Sequence, residues 1–319
     1  MTGPVEKNLR PEPSAHPRVA VIIPTFQAAR YWPELSRAIR SQSLVPQQTI
    51  VIDSSSDDGT AELARRDGFE VLEIASSEFN HGGTRQKGAD FAADANILIY
   101  LTQDAVPDST EAFATLVSAF ADPEIGAAYG RQLPRRNASP IEAHARLFSY
   151  SQVSMVRSWE SRKTMGFKSI FFSNAFGAYR REALMSVGGF SPDVIFGEDT
   201  LVVARMHRAG WKTAYEADAR VRHSHAYTIA DEFRRYFDIG VLHSRESWLT
   251  EQFGSASGEG RRFVLSELKY LLSHGPHHMP SAMARTVAKY AGYKIGRRES
   301  RIAPGLKYHL GLNRQFWSR

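Results

Sequence analysis

The sequence has no cysteine, and this absence excludes disulfides, thiolate metal sites and cysteine nucleophiles. It also has no apolar run approaching the roughly 20 residues that a membrane-spanning helix requires. Residues 1–17 have no apolar signal core, so we expect a flexible polar leader and a cytoplasmic chain. We find neither an internal repeat nor a low-complexity tract. The composition predicts a folded globular protein.

Positive charge is concentrated at the C-terminal end of the chain. The net charge over 319 residues is +6. From Ser255 to Arg319 there are 12 Lys and Arg against 3 acidic residues, whereas the first 254 residues carry 28 basic and 31 acidic ones. A basic end on a mildly acidic body predicts an anionic partner for that end, with a merely solvated basic surface as the alternative. We do not expect nucleic acid, because no motif interleaves basic and aromatic residues.

The first third of the chain alternates between apolar and helical segments. Residues 19–24 form a continuous β-branched run, as expected of a strand buried on both faces, and further strand-like runs follow over residues 49–53, 70–74 and 96–101. Helices are predicted between them, over residues 31–41, 60–67 and 84–94. This alternation predicts an α/β fold with a mainly parallel central sheet flanked by helices. In such sheets ligands bind beyond the carboxyl ends of the strands.

The rest of the chain is less regular, then helical. Residues 131–174 are rich in aromatics and arginine. The pattern predicts short helices over 179–187 and 200–209 and a strand over 219–223. Two apolar stripes then predict a helical, basic extension; they are Val264, Leu268, Leu271 and Leu272, and Met283, Val287, Tyr290 and Ala291. We therefore divide the chain into a leader (1–17), an α/β domain (18–227) and a helical region (228–319).

Two groups of acidic residues follow predicted strands. Asp53 lies at the tip of the second strand, where its carboxylate can accept hydrogen bonds from a base or ribose. Asp57 and Asp58, close behind it, are explained more simply as caps of the next helix. Asp104 directly follows another buried strand, and a carboxylate there loses hydration unless it pairs or binds metal. Mg²⁺ or Mn²⁺ bridging Asp104 to phosphates would compensate, although a loop aspartate that caps the structure around Ser109 is the alternative.

The segment Asn80-His-Gly-Gly-Thr-Arg-Gln-Lys87 begins a predicted helix. Two glycines at a helix start allow backbone N–H groups to approach a phosphate, which the helix dipole favours. Arg85 and Lys87 fall in the first turn, where cations are unfavourable for the helix itself. We therefore expect both side chains to face an anion, with a diphosphate as the candidate. The motif matches neither a P-loop nor the dinucleotide-binding glycine pattern, so by itself it is a weak signal.

Glu198 and Asp199 open a later helix, where paired carboxylates are commonly ordinary first-turn charges. Deprotonating an acceptor hydroxyl, however, needs a base within hydrogen-bond reach, and we expect the helix dipole to keep Asp199 ionised as a base requires. His223 and His225 lie just past a predicted strand and are open to both a metal-binding and a structural role.

The order and spacing of these motifs resemble the inverting family 2 glycosyltransferases of the GT-A fold. Pro24-Thr25 ends the first strand, Asp53 the second and Asp104 the fourth, and Gly197-Glu198-Asp199 precedes Gly210 and His223. The resemblance covers roughly residues 18–227. The segments Phe79–Arg85 and Thr102–Pro107, with Gly296-Arg and Phe316-Trp317 near the C-terminus, are similar to bacterial rhamnosyltransferases of O-antigen and capsule assembly.

The resemblance implies a GT-A catalytic domain over residues 18–227 and a role for each matching residue. The residues implied to bind the nucleotide sugar are Pro24, Thr25, Asp53, Arg85, Lys87 and Gln103. Asp104 and His223 would hold Mg²⁺ or Mn²⁺, and Asp199 would be the catalytic base with Glu198 beside it. Thr102 stands where the family's Asp-X-Asp motif has its first acid, so we expect weaker metal binding.

The implied reaction is a single displacement with inversion at the anomeric carbon of a nucleotide sugar. Motif details favour dTDP-L-rhamnose as donor, with a UDP-hexose as the alternative. The acceptor would be a glycan or a lipid-linked glycan, and the basic C-terminal region would bind an anionic lipid surface on the inner face of the cell membrane.

Two other classes fit the residues less well. A sugar-nucleotide pyrophosphorylase would need a glycine- and basic-rich loop after the first strand, where this chain has Thr25-Phe-Gln-Ala-Ala-Arg30. A catalytically silent relative would explain Thr102 but not the retained Glu198-Asp199 pair.

Overall fold

The structure, a computed structural model, describes residues 17–254 and 257–318. Apart from Pro17, the predicted leader lies outside the described residues. In chain order the strands are β1 (Val19–Thr25), β2 (Gln48–Asp53), β3 (Glu70–Glu73), β4 (Ile97–Leu101), β5 (Val106–Pro107), β6 (Ile125–Leu133), β7 (Met155–Arg157), β8 (Phe176–Arg180) and β9 (Lys212–Arg222). The α-helices are α1 (Trp32–Arg40), α2 (Thr60–Arg66), α3 (His81–Phe91), α4 (Ala112–Ser118), α5 (Pro140–Ser149), α6 (Arg162–Met165), α7 (Arg181–Ser186), α8 (Glu198–Arg208), α9 (Ile229–Arg245), α10 (Ser247–Phe253), α11 (Ser257–His274), α12 (Met279–Gly296) and α13 (Pro304–Leu310).

The strands form one mixed sheet in the order β3-β2-β1-β4-β8-β6-β9-β5, and β7 pairs with β9. Strands β3, β2, β1 and β4 are parallel, as predicted, and β8 runs antiparallel to both β4 and β6. β6 and β9 are parallel to each other, while β5 and β7 pair antiparallel with β9. The carboxyl ends of β1, β2, β4, β6 and β9 therefore lie at one edge of the sheet. The predicted α/β fold is confirmed.

Strands β1, β2 and β4 are buried on both faces, which explains their largely apolar sequences. Alternate residues of β1 join different core clusters: Ala20 and Ile22 pack on one side of the sheet, and Val21 and Ile23 on the other. Each fully buried side chain of this kind stabilises the fold by about 1.5–3 kcal/mol. A strand held on both faces fixes the position of the residues at its end.

The sequence pattern does not predict β6 and β8, because small residues stand where neighbouring aromatic rings pack. A Cβ on Gly130 of β6 would lie 2.4 Å from the ring of Phe176, and one on Gly177 of β8 would lie 2.7 Å from the ring of Phe172. These strands therefore lack the β-branched signature. The helix predicted to start at residue 179 starts only at Arg181, because Tyr179 is still part of β8.

The C-terminal region is helical, as predicted, and the proposed boundary after residue 227 falls between β9 and α9. Helices α9 and α12 cross at very short range. A Cβ on Gly292 would lie 2.2 Å from the carbonyl oxygen of Phe233, and one on Gly296 would lie 2.1 Å from that of Phe237. Only glycine allows this approach. Within the two described stretches, no helix has both the length and the apolar character needed to cross a membrane.

We expect Gly296→Ala to lower the free energy of unfolding by about 1–3 kcal/mol, because the new methyl group overpacks the crossing. Urea unfolding followed by circular dichroism measures this. Gly260→Ala on α11 is the matched control: no atom of the described residues lies within 4 Å of its Cβ position, so the helix gains up to about 1 kcal/mol. Equal midpoints for Gly296→Ala and the wild type would contradict the close crossing.

Candidate active site

Polar residues from five strands meet at the carboxyl edge of the sheet. Thr25 ends β1, Asp53 ends β2, Asp104 follows β4, Gln132 lies near the end of β6 and His223 follows β9. This is the edge at which ligands bind in such sheets. The sequence predicted all of these except Gln132.

The carboxylate of Asp53 is buried and holds two loops together. Its Oδ1 accepts hydrogen bonds from the hydroxyls of Thr25 (2.9 Å) and Ser56 (2.7 Å), and its Oδ2 from the Ser56 backbone N–H (2.8 Å). Gln27 and Ser55, in these two loops, have left-handed φ angles of 50° and 60°. Such angles cost a non-glycine residue conformational energy and are concentrated at functional sites. A direct contact between Asp53 and the donor stays a prediction.

Gln103 ties the loop after β4 to the loop after β1. Its Oε1 accepts from the backbone N–H of Phe26 (2.7 Å), and its Nε2 donates to the Phe26 carbonyl (3.0 Å). The ring of Phe26 is left 52% exposed, directly after Pro24 and Thr25. An exposed aromatic ring at this edge offers a surface on which a base can stack. Phe26 was not among the site residues predicted from the sequence.

Helix α3 starts three residues earlier than predicted, at His81, and its glycines serve packing. The side chain of Asn80 caps the helix by accepting from the Gly83 N–H. A Cβ on Gly82 would lie 1.9 Å from the carbonyl oxygen of Ser191. The glycine is therefore explained by contact with a neighbouring loop, without a phosphate.

The two cations of α3 do face anions, but the anions are carboxylates of the protein. Nη1 of Arg85 lies 3.1 Å from Oε1 of Glu198, and both side chains are buried. Nζ of Lys87 lies 2.8 Å from Glu78 at the surface. Arg85 is thus enclosed with Glu198, whose buried charge needs a counter-charge, instead of opening towards a diphosphate. A donor contact of Lys87 stays a prediction.

Glu198 and Asp199 begin α8, as predicted, and Asn174 holds both carboxylates. Nδ2 of Asn174 donates to Glu198 (3.1 Å), and its backbone N–H donates to Oδ2 of Asp199 (3.1 Å). The hydroxyl of Tyr179 donates to Oδ1 of Asn174 (2.8 Å), which fixes the amide orientation. Oδ1 of Asp199 accepts from the backbone N–H of Thr200 (2.7 Å). Asn174 was not predicted from the sequence, because it lies at the end of the irregular segment and belongs to no recognisable motif.

The two carboxyl groups differ in acidity. Burial raises the pKa of Asp199 to about 7, and the adjacent charge of Glu198 acts in the same direction. Burial also acts on Glu198, but the neighbouring groups together, with Arg85 the strongest of them, hold the pKa of Glu198 below its usual value. The helix dipole therefore does not keep the pKa of Asp199 low, contrary to our expectation. A carboxyl group that titrates near neutrality, next to one that stays charged, is suited to general base catalysis.

Asp104, His223 and His225 form a cluster that could hold a metal ion. One ligand atom from each lies within 4.8 Å of the other two. Nε2 of His223 is 3.3 Å from Oδ1 of Asp104, and Nδ1 of His225 is 3.6 Å from Oδ2. The structure thus brings together the predicted pair and adds His225, whose role the sequence left open.

Gln132 fixes the tautomer of His223. Oε1 of Gln132 accepts from Nη1 of Arg146 (2.9 Å), a group that can only donate. The same oxygen lies 2.8 Å from Nδ1 of His223, so Nδ1 carries a proton. Burial lowers the pKa of His223, so its ring is neutral and Nε2 is bare. That buried nitrogen makes no hydrogen bond with any described residue and faces the carboxylate of Asp104, an arrangement that fits a bound cation.

Ser173 and Asn174, which are adjacent in sequence, connect the candidate metal cluster to the carboxyl pair of Glu198 and Asp199. Nε2 of Gln132, the residue that orients His223, donates to the hydroxyl of Ser173 (2.8 Å). The next residue is Asn174, which holds Glu198 and Asp199. Nη2 of Arg135 also donates to the carbonyl of Asp104 (2.6 Å), so Arg135 and Arg146 bring positive charge to the cluster.

The family model described as "Glycosyltransferase like family 2" matches residues 16–237. This chain belongs to glycosyltransferase family 2. Two relatives match along nearly their whole length. The O-antigen chain rhamnosyltransferase RfbN of Salmonella typhimurium is 42% identical over 302 residues, covering 94% of this chain and 96% of the relative. The O-antigen chain rhamnosyltransferase WbaN of Salmonella anatum is 41% identical over 303 residues, covering 95% and 96%.

Solved structures of low sequence identity share the fold. The mannosyltransferase PcManGT from Pyrobaculum calidifontis, in complex with GDP-Man and Mn²⁺, has a TM-score of 0.56 and 20% identity, covering 97% of this chain and 87% of that one. TarS of S. aureus in complex with UDP has a TM-score of 0.52 and 12% identity, covering 89% and 91%. The predicted GT-A fold and the resemblance to family 2 are thereby confirmed.

Proposed function

We propose that this family 2 member transfers L-rhamnose from dTDP-L-rhamnose, with inversion, to a glycan or lipid-linked glycan of the O-antigen chain. The observation that carries the transfer reaction is the pair of the buried Glu198 and the partly buried Asp199 at the sheet edge that also holds Asp104 and His223. The choice of sugar rests on the two rhamnosyltransferase relatives that match this chain over nearly its full length.

In the proposed reaction Asp199 accepts the proton of the acceptor hydroxyl as that oxygen attacks the anomeric carbon. Asn174 orients the receiving carboxylate, and Glu198 stays charged against Arg85. Asp104, His223 and His225 would hold Mn²⁺ or Mg²⁺, which neutralises charge on the nucleoside diphosphate that leaves. Two imidazoles beside one carboxylate suit Mn²⁺ better than Mg²⁺, because Mg²⁺ strongly prefers oxygen ligands.

A donor screen tests the proposal. The purified protein is incubated with a glycolipid acceptor fraction and dTDP-L-rhamnose, UDP-glucose, UDP-galactose or GDP-mannose, and the release of nucleoside diphosphate is measured. We expect acceptor-dependent release of dTDP and little release from the other donors. Faster release of UDP than of dTDP would show that the donor is a UDP-hexose and not dTDP-L-rhamnose. Release from none of the four donors would favour a catalytically silent relative.

We also propose that the C-terminal helices bind an anionic membrane surface. Met283, Val287 and Tyr290 lie on one face of α12 at helical spacing and are exposed. Leu272 of α11 is exposed as well, whereas Leu271, predicted in the same stripe, is buried inside the protein. Exposed apolar side chains in a region with 12 basic and 3 acidic residues suit a surface of anionic lipids.

We expect the triple variant Met283→Ser, Val287→Ser and Tyr290→Ser to lose vesicle affinity tenfold or more, since each apolar side chain contributes about 1 kcal/mol on entering the interface. Flotation with phosphatidylglycerol vesicles measures the bound fraction. The triple variant Val45→Ser, Val153→Ser and Val156→Ser is the control, because these apolar side chains are more than half exposed but belong to the α/β domain. An equal loss of vesicle binding in both variants, or no vesicle binding by the wild type, would contradict the proposal that the C-terminal helices bind the membrane.

A further inference from the structure

We propose that Asn313, near the C-terminus, is a positioning residue of the active site that acts through His81 and Arg85 on Glu198. The relay joins three parts of the chain that are far apart in sequence: the segment near the C-terminus, helix α3 and the start of α8. This inference rests on the proposed transferase reaction, because its readout is the turnover of that reaction.

The orientation of the Asn313 side-chain amide is determined by its acceptors. Nδ2 donates to the carbonyl of Ile195 (3.0 Å) and to Oδ2 of Asp238 (3.1 Å). The same Asp238 oxygen accepts from the backbone N–H groups of Leu312 (3.1 Å) and Asn313 (3.0 Å). Because two acceptors surround the NH₂ group, the amide oxygen Oδ1 must be the atom that faces His81.

Asn313 in turn fixes the tautomer of His81. Oδ1 of Asn313 lies 2.9 Å from Nε2 of His81 and can only accept, so Nε2 carries the proton. Burial lowers the pKa of His81, so the ring is neutral and Nδ1 is bare. Nδ1 lies 3.5 Å from Nη1 of Arg85, and a bare nitrogen can accept from that group where a protonated one would repel it.

Arg85 completes the relay. Its Nη1 donates to the His81 carbonyl (2.9 Å) and pairs with Oε1 of Glu198 (3.1 Å). The guanidinium is thus held from one side by His81 and from the other by a carboxylate of the catalytic pair. Glu198 is next to Asp199, the proposed base, so a shift of Arg85 would change the electrostatic environment of Asp199.

Holding the segment around Asn313 through Asp238 costs free energy, because it requires a buried carboxylate. Asp238 is 1% exposed, and its Oδ1 makes no hydrogen bond with any residue in the described ranges. An apolar contact would hold the segment without burying a carboxylate, and the ring of Trp317 already packs against Phe237 of α9. Local features that cost stability without a packing gain are typical of functional sites. The amide of Asn313 is what this anchor orients.

Kinetics of folded variants test the inference. We expect Asn313→Ala to lower kcat about tenfold to a hundredfold with the KM for the donor within about twofold, because the carboxyl pair loses its alignment. Gln315→Ala is the matched control: it is exposed in the same segment and should keep wild-type turnover. Asp238→Asn keeps an oxygen for the backbone N–H groups and should retain more activity than Asp238→Ala. Wild-type kcat in Asn313→Ala, or equal loss in Gln315→Ala, would overturn the assignment.

The tautomer of His81 provides a measurement that needs no activity. Long-range ¹H–¹⁵N spectra of the histidine-labelled protein, assigned with His81→Gln, should show the proton on Nε2 in the wild type and in Gln315→Ala. Asn313→Ala should lose this preference. A proton on Nδ1 in the wild type would overturn the relay even if Asn313→Ala failed to fold. An inactive wild type with the expected tautomer would instead count against the transferase proposal.

Discussion

Asp199→Asn is expected to reduce sugar transfer by about 10²–10⁴-fold, which is the contribution of a positioned general base. The substitution keeps the shape of the side chain but removes the group that accepts the proton. Donor binding should change little, because Asp199 is bonded to Asn174 and Thr200 and belongs to the acceptor side of the proposed reaction. Product release gives kcat, and calorimetric titration with dTDP gives the donor affinity. Turnover within tenfold of the wild type would show that another group is the base.

The pH dependence separates the base from its neighbour. A base acts when deprotonated, and the pKa of Asp199 is raised to about 7, so kcat/KM should fall as the pH drops below about 7. In Glu198→Gln the negative charge that raises the pKa of Asp199 is gone, whereas Arg85, which lowers that pKa, remains, so the pKa of Asp199 falls. The acid limb of the profile should therefore move to lower pH in this variant. A limb that stays in place would show that Glu198 does not set the pKa of the base.

The parts of the fold that the sequence predicts are those whose residues carry their own local signal. β1 is recognisable because alternate residues enter two different cores and all must be apolar. In β6 and β8, glycines make room for the rings of Phe176, at the start of β8, and of Phe172, so the signal lies in contacts between neighbouring segments and not in the apolar pattern of either strand. Contacts of this kind join different segments of the chain, so the hydrophobic periodicity of a single segment does not predict them.

The same distinction applies to the site. Asp53 and Asp104 follow strands, and Asp199 starts a helix, so local position marks each of them as a candidate. Gln132 and Asn313 have no such mark, because their roles come from His223 and His81, which lie 91 and 232 residues away along the chain. Arg85 shows the converse: it faces an anion, as expected, although α3 starts at His81 and Arg85 lies beyond its first turn, and only the three-dimensional structure identifies that anion as Glu198.

The candidate metal site leads to the second large effect. We expect Asp104→Asn to lower turnover by about 10²–10³-fold, because Lewis-acid stabilisation of a leaving phosphate contributes several kcal/mol. Chelation with EDTA should reduce wild-type activity to a similar level, and Mn²⁺ should restore more of it than Mg²⁺. Transfer is measured by product release over a range of Mn²⁺ concentrations. The burial of Asp104 also means that an unpaired carboxylate there is unfavourable, so chelation should lower the unfolding temperature of the wild type.

Gln132→Met distinguishes a metal site from a buried ion pair. This substitution keeps the side-chain length but removes the oxygen that holds the proton on Nδ1 of His223, so Nε2 is no longer fixed as the bare nitrogen. If the cluster binds metal, Mn²⁺ affinity should fall about tenfold to a hundredfold, and excess Mn²⁺ should restore turnover. If Asp104 and His223 only form an ion pair, neither quantity should depend on Mn²⁺. Full wild-type activity in EDTA would exclude the metal and leave Arg135 and Arg146, which bond to Asp104 and Gln132, as candidate cations for stabilising the leaving group.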